Sequence, residues 1–294
     1  MNEPLLKVEN LCQHFKISRS FTVKAVNGVS FEIYPGETFG LVGESGSGKT
    51  TIGRSVIRLY DPTSGTVTFN RKKISGMLDS TTRQMLRKEM QMIFQDPMSS
   101  LNPRKKIGDI VAEGLDIHGL CSGHDERNEI VGDILKKVGL SPAHAERYPH
   151  QFSGGQRQRV GIARALVMKP KLIIADECIS ALDVSIQAQI VNLMKDIQTQ
   201  TQCAYLFIAH DLSMVKYISD RVGVLHLGYL VEVGSTQEIF SNPLHPYTQA
   251  LLSAIPHPNP AVEKSRRPVI YNPKVINYDK AVMTKINDDH FVLA

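Results

Sequence analysis

The stretch Thr38-Phe39-Gly40-Leu41-Val42, running straight into Gly43-Glu44-Ser45-Gly46-Ser47-Gly48-Lys49-Thr50-Thr51, decides the fold. A short continuous apolar run that ends in glycines reads as a buried strand, and the segment opening near Thr50 reads as a helix. Residues 43–50 match the pattern GxxxxGK[ST] in that strand-loop-helix setting. Glycines let backbone N–H groups wrap phosphates, and the helix N-terminus adds partial positive charge. Lys49 would reach the β- and γ-phosphates, and Thr50 would ligate Mg²⁺. The competing reading, a glycine-rich turn with no nucleotide, loses weight because context and pattern agree.

Working outward, β-rich runs precede the loop at 5–10 and 22–33, and strands follow at 66–70 and 90–95 beside a polar helix at 82–89. From about 97 to 165 the pattern turns helical, with apolar spacing at Ile130, Ile134, Leu135 and Val138. Strands then resume at 171–177, 204–210, 221–227 and 230–234, alternating with helices at 184–200 and 211–218, and a last helix lies near 246–254. Continuous apolar strands alternating with helices argue for an α/β fold with a largely parallel sheet covered on both faces. Pro256, Pro258 and Pro260 open a polar tail, expected to be loosely attached.

The acids a phosphate loop needs stand in Leu172-Ile173-Ile174-Ala175-Asp176-Glu177, a buried strand ending in two carboxylates. Asp176 would hold the metal through water, and Glu177 would orient or deprotonate an attacking water; a solvated turn is the plain alternative for such a pair. Ser153-Gly154-Gly155-Gln156 precedes an apparent helix and reads as a second N-terminus suited to an anion, or as an ordinary N-cap with a glycine hinge.

The 294 residues are 42% apolar and 21% charged, which excludes collagenous, low-complexity and wholly disordered chains. The net charge of +5 is spread too thinly to choose a partner. Cys12, Cys121, Cys178 and Cys203 have neither disulfide-framework nor zinc-ligand spacing. The N-terminal run lacks the pattern of a secretory signal, and no apolar run is long enough for a bilayer, so a cytoplasmic chain is expected.

The ordered set of residues 43–50, Gln95, SGGQ at 153–156, Ser180-Ala181-Leu182-Asp183 and His210 resembles the ATP-binding subunit of an ABC transporter over about 1–255. That resemblance implies a RecA-like core (1–255) with an N-terminal antiparallel β subdomain, a helical subdomain inserted at about 97–165, and a C-terminal extension over 256–294. It implies that Gln95 senses Mg²⁺ and the attacking water, and that Ser153 to Gln156 close over ATP held by the opposite subunit. Asp183 would cross the dimer interface, His210 would contact the γ-phosphate, and Phe15 would stack on adenine unless it is simply core. The other nine histidines read as surface or loop residues.

Gln95 through Arg104, the run YPHQFSGGQRQR and Asn242 through Leu252 narrow the resemblance to the oligopeptide, dipeptide and nickel uptake group, and within it to the F-type ATPases of oligopeptide permeases. The implied activity is ATP hydrolysis with Mg²⁺, energising peptide import from the cytoplasmic face of the membrane. The implied partners are two transmembrane permease subunits, an extracytoplasmic peptide-binding protein and a sibling ATPase, although a homodimer also fits; nucleic acid is not among them. Cys178 stands where the group usually has proline. Since the last cysteine is Cys203, no iron–sulfur cluster is expected. An ABC ATPase acting on DNA or the ribosome is the alternative class, disfavoured because the chain carries a single ATPase set without zinc modules, coiled coils or basic linkers. A regulator that binds without hydrolysing is disfavoured by Glu177 and His210.

Overall fold

The computed structural model describes residues 3–96, 100–255, 269–272, 276–278 and 280–294. It divides into two compact units, the first formed by 1–34, 38–77 and 207–294 and the second by 35–37 and 78–206.

The first unit begins with β1 (Leu6–Lys16) and β2 (Thr22–Ile33), an antiparallel pair in which Leu6 faces Ile33 and Val8 faces Phe31. Alternate residues of β1 are buried, the period expected of a strand with one covered face. β1 runs six residues beyond the expected strand, through an irregularity between Val8 and Leu11 where Asn10 takes φ 51°. The turn-prone Asn10 marks an apparent strand end in the sequence, but burial still alternates at Leu11 and Gln13 beyond it. β3 (Thr38–Val42) is buried at every position, and α1 (Lys49–Val56) follows it across the glycine loop. β4 (Ser64–Phe69) and β5 (Lys72–Lys73) complete an antiparallel sheet in the order β2-β1-β4-β5.

The second unit contains α2 (Ser80–Glu89), capped by the Asp79 side chain accepting from the Thr82 amide, then β6 (Met90–Ile93), α3 (Ile107–His118) and α4 (His124–Lys137). Two short 3-10 turns, Pro142–Glu146 and Pro149–Gln151, lead into α5 (Gly154–Leu166). β7 (Leu172–Asp176) lies parallel to β6, and α6 (Val184–Thr201) buries Ile190, Val191, Met194 and Ile197 along one helical stripe. Part of the run Gln95–Arg104, residues 97–99, lies outside the described residues.

β8 (Ala204–Ile208) carries the chain back into the first unit, followed by α7 (Leu212–Ile218), β9 (Arg221–His226), β10 (Tyr229–Ser235), α8 (Thr236–Ser241) and α9 (Pro246–Ser253). β9 pairs in parallel with β3 and antiparallel with β10. The tail corrects its expectation. β11 (Met283–Asn287) and β12 (His290–Leu293) form a hairpin, and β12 adds to β10 with Glu232 opposite Val292. His290, Val292 and Leu293 are buried there, so this end of the chain is packed. Pro256, Pro258 and Pro260, which prompted the opposite reading, fall among residues 256–268, outside the described ones.

Candidate nucleotide site

The loop after β3 is shaped by its glycines. Gly43 has φ 149° and Gly48 φ 107°, and a Cβ there would stand 2.1 Å from the Leu225 carbonyl oxygen and 2.4 Å from that of Ala25. Only glycine accepts both the conformation and the approach. Gly48 is also the N-cap of α1, with no side chain to close the helix end. Lys49, 4% exposed, folds back so that Nζ donates to the carbonyls of Gly43 (2.8 Å) and Glu44 (2.9 Å). Among the described residues, the buried Ser47 hydroxyl finds no hydrogen-bond partner, and beyond the chain neighbours of Gly46 no atom stands within 4 Å of where its side chain would begin. A curved backbone with an orphaned hydroxyl, a lysine reaching across it and open space at Gly46 fits a phosphate chain. Ser45, Thr50 and Thr51 continue the loop and the first turn of α1.

Phe15 lies on β1, half-exposed, its ring edge-on to Tyr60 with centroids 5.3 Å apart. Such a pair leaves ring area open for stacking while fixing the ring's angle.

In the second unit, Asp176 closes β7 at 1% exposure, and Glu177 beyond it takes φ 45°, a left-handed turn that costs a non-glycine residue about 1 kcal/mol. The turn brings Glu177 to Gln95, whose Nε2 donates to Glu177 Oε2 at 2.9 Å. Two residues 82 positions apart thus form one polar pair. Cys178 behind them is buried, and burial pushes its thiol up to about 12, which keeps it protonated and unreactive.

Ser153 is the N-cap of α5 in a reciprocal capping box: its Oγ accepts from the Gln156 amide at 3.4 Å, and Gln156 Oε1 accepts from the Ser153 amide at 3.1 Å. Gly154 and Gly155 form the first turn between them. Asp183 precedes α6, exposed, its carbonyl accepting from Ile186 and Gln187. His210 is exposed two residues past β8, and the neighbouring Asp211 caps α7 through the amides of Ser213 and Met214.

Three histidines outside this set are not the surface residues expected. His226, His245 and His290 are buried, the last two completely. His290 Nε2 stands 2.7 Å from Glu232 Oε1, and the same carboxylate accepts from the amides of Leu244 and His245. The His226 ring lies 4.0 Å from that of Tyr247, and the Tyr247 hydroxyl accepts from the Glu44 amide at 3.0 Å. Sequence reasoning treated Tyr247 only as part of the Asn242–Leu252 run. Its aromatic-and-proline start, His245-Pro246-Tyr247, was the available signal.

Comparison with known proteins sets these features in a family. Residues 26–180 match the family described as "ABC transporter", and residues 231–279 match "Oligopeptide/dipeptide transporter, C-terminal region". The chain is 55% identical over 296 residues to the oligopeptide transport ATP-binding protein OppF of Bacillus subtilis (strain 168), covering 100% of this chain and 97% of that protein. It is 54% identical over 299 residues to the dipeptide transport ATP-binding protein DppF of Lactococcus lactis subsp. cremoris, covering 100% and 96%. Among solved structures, cbiO1 of Clostridium perfringens, part of the ABC transporter complex cbiONQ, superimposes with a TM-score of 0.72 at 28% identity, covering 82% of this chain and 92% of that one. The cassette MJ0796, solved as a dimer bound to ADP and Pi, gives 0.70 at 28% identity over 79% and 98%. The mixed α/β architecture, the glycine loop and the full-length likeness agree: this chain belongs to the ABC transporter family, as an ATP-binding subunit.

Proposed function

We propose that the chain hydrolyses ATP to energise the import of oligopeptides. The observation that carries the hydrolytic part is the 2.9 Å bond from Gln95 to Glu177 beside the buried Asp176. A water held by that pair would attack the γ-phosphorus while the bond to the β–γ bridging oxygen breaks, leaving ADP and phosphate. Glu177 orients the water and accepts its proton, Lys49 and the amides of the loop and first turn of α1 other than that of Glu44 neutralise the phosphate charge, and His210 contacts the γ-phosphate. Thr50 and Gln95 would offer the hard oxygen donors that Mg²⁺ prefers, Asp176 would hold the ion through water, and the ion would offset phosphate charge.

Ser153 to Gln156 serve the nucleotide of an opposite subunit, with Asp183 at that interface, and Phe15 stacks on adenine. The assembly pairs this chain with a sibling ATPase and two transmembrane permease subunits at the cytoplasmic face of the membrane, supplied by an extracytoplasmic peptide-binding protein. Among the described residues no helix is long and apolar enough to cross a membrane, so the translocation path belongs to other chains in this reading. Residues 256–294 form a C-terminal extension to the nucleotide-binding domain at 1–255, and residues 97–165 its helical subdomain.

The test is to isolate the tagged chain from membranes, identify what co-purifies and measure ATPase activity for the wild type and Glu177→Gln. Recovery of two membrane subunits and a peptide-binding protein, with turnover lowered about 10²- to 10⁴-fold in the variant while ATP still binds, is the expected result. Recovery of ribosomes or DNA, or normal turnover in Glu177→Gln, would overturn it.

A further inference from the structure

The Gly43–Glu44 peptide group is held at both ends. Its carbonyl oxygen accepts from Lys49 Nζ at 2.8 Å, and its N–H donates to the Tyr247 hydroxyl at 3.0 Å. In a trans peptide these two groups point in opposite directions, so the two bonds together fix the rotation of that plane. Lys49 is the residue that a phosphate chain would draw away, which leaves Tyr247 as the side chain still holding the plane once nucleotide is bound.

Tyr247 is itself immobilised. It is 2% exposed in the first turn of α9 and packed between the rings of His226 at 4.0 Å and Tyr271 at 5.4 Å. Its amide donates to His245 Nδ1 at 3.1 Å. The segment before it is fastened by Glu232, which takes the amides of Leu244 and His245 and is in turn met by His290 from β12. On the far side of the loop the Gly228 amide donates to the Ser47 carbonyl at 3.0 Å. Burial pushes the Tyr247 hydroxyl up to about 12, so it meets the Glu44 amide as a neutral acceptor.

We infer that Tyr247 is a positioning residue for the phosphate loop: its hydroxyl sets the Glu44 amide, and through it the curvature of residues 43–48, so that the C-terminal segment tunes nucleotide affinity. The inference rests on the reading of this loop as the nucleotide site. Tyr247→Phe removes the hydroxyl and keeps the ring. Tyr271→Phe is the control, since Tyr271 belongs to the same aromatic cluster and its hydroxyl meets Tyr278 at 2.6 Å.

On the full chain, ATP and ADP affinities are measured together with hydrogen exchange of the peptide containing Glu44, without nucleotide. Tyr247→Phe is expected to weaken nucleotide binding about 3- to 10-fold and to speed exchange at Glu44 by a similar factor, with Tyr271→Phe changing neither. In the assembled complex the loss should fall on KM for ATP with kcat retained. Unchanged affinity and exchange in Tyr247→Phe, or equal loss in both variants, would overturn the inference. A wild-type chain that binds no nucleotide would remove the underlying reading instead, and the inference with it.

Discussion

Helices α1 and α5 begin in opposite ways, and both lie at motifs expected to meet the same kind of anion. The end of α1 has no side-chain cap: its N-cap is Gly48 in a left-handed conformation, and the buried Ser47 hydroxyl beside it has no partner among the described residues. The end of α5 is closed by its own residues, with Ser153 and Gln156 in a reciprocal box. The free N–H groups of an uncapped helix end are left for water or a ligand, whereas a capped end meets one of them with its own side chain. The first unit therefore keeps an open helix end that a nucleotide would finish. The second keeps a closed edge, which would have to trade an internal bond for an external one in order to meet an anion. This contrast explains why strain gathers at the glycines before α1 and not at those of α5.

The contrast breaks most visibly at the lysine. Lys49→Ala removes the cation from the uncapped end, and turnover is expected to fall about 10²- to 10³-fold in an ATPase assay; an alanine variant with wild-type turnover would mean that the loop handles no phosphate. Next comes Gly48→Ala, whose Cβ would meet the Ala25 carbonyl at 2.4 Å in a conformation of φ 107°. The expected cost is about 1–3 kcal/mol in urea unfolding, with nucleotide-induced stabilisation lost.

A pH titration sharpens what stands behind α1. Burial holds His245 down at about 4, and its Nδ1 accepts from the Tyr247 amide. The unfolded chain takes up a proton near 6.5 that the folded chain refuses until about 4. Stability is therefore full above about pH 6.5 and falls as pH drops through that window, by roughly 3 kcal/mol. In His245→Asn, which can still cap α9, this share of the slope should vanish from unfolding curves taken between pH 4 and 7. A slope identical to wild type would assign the titration elsewhere.

The capped end should respond more mildly. Ser153→Ala opens the box and is expected to cost about 1 kcal/mol in stability while leaving ATP affinity of the isolated chain unchanged. The smallest effect belongs to Gly154→Ala, whose Cβ would find only Leu182 at an ordinary 3.5 Å; a change within about 0.5 kcal/mol is expected. A large loss there would show that α5, too, depends on glycine conformation.

What the sequence made legible follows from how local each feature is. The phosphate loop is written in consecutive residues, because strand, glycines and lysine sit next to one another. The pair Asp176 and Glu177 is equally local, and only family resemblance joined Gln95 to it from 82 positions away. The brace behind the loop was illegible, since Tyr247, His226, Glu232 and His290 acquire meaning only through pairings between β9, β10 and β12. Histidines in particular mislead. The same residue type serves as a solvent-facing group at His210, behind an apolar run, and as a buried fastener at His290, behind Asn287-Asp288-Asp289, so the flanking residues point the wrong way. The tail was misread because its prolines outweighed the alternating run that forms β11 and β12.

The long reach of these pairings also has a temporal side. Thr38, at the start of β3, donates to Asp220, 182 positions later, and Glu44 waits for Tyr247, 203 positions later. At about 5–20 residues per second of synthesis, that gap lasts roughly 10–40 s. During it the emerging chain carries a glycine-rich loop with no wall behind it and an apolar β3 with no partner on the β9 side. The nascent protein thus gains the full set of fastenings on its phosphate loop only after residue 247 has emerged, and until then β3 is a segment for which chaperones and other nascent chains would compete.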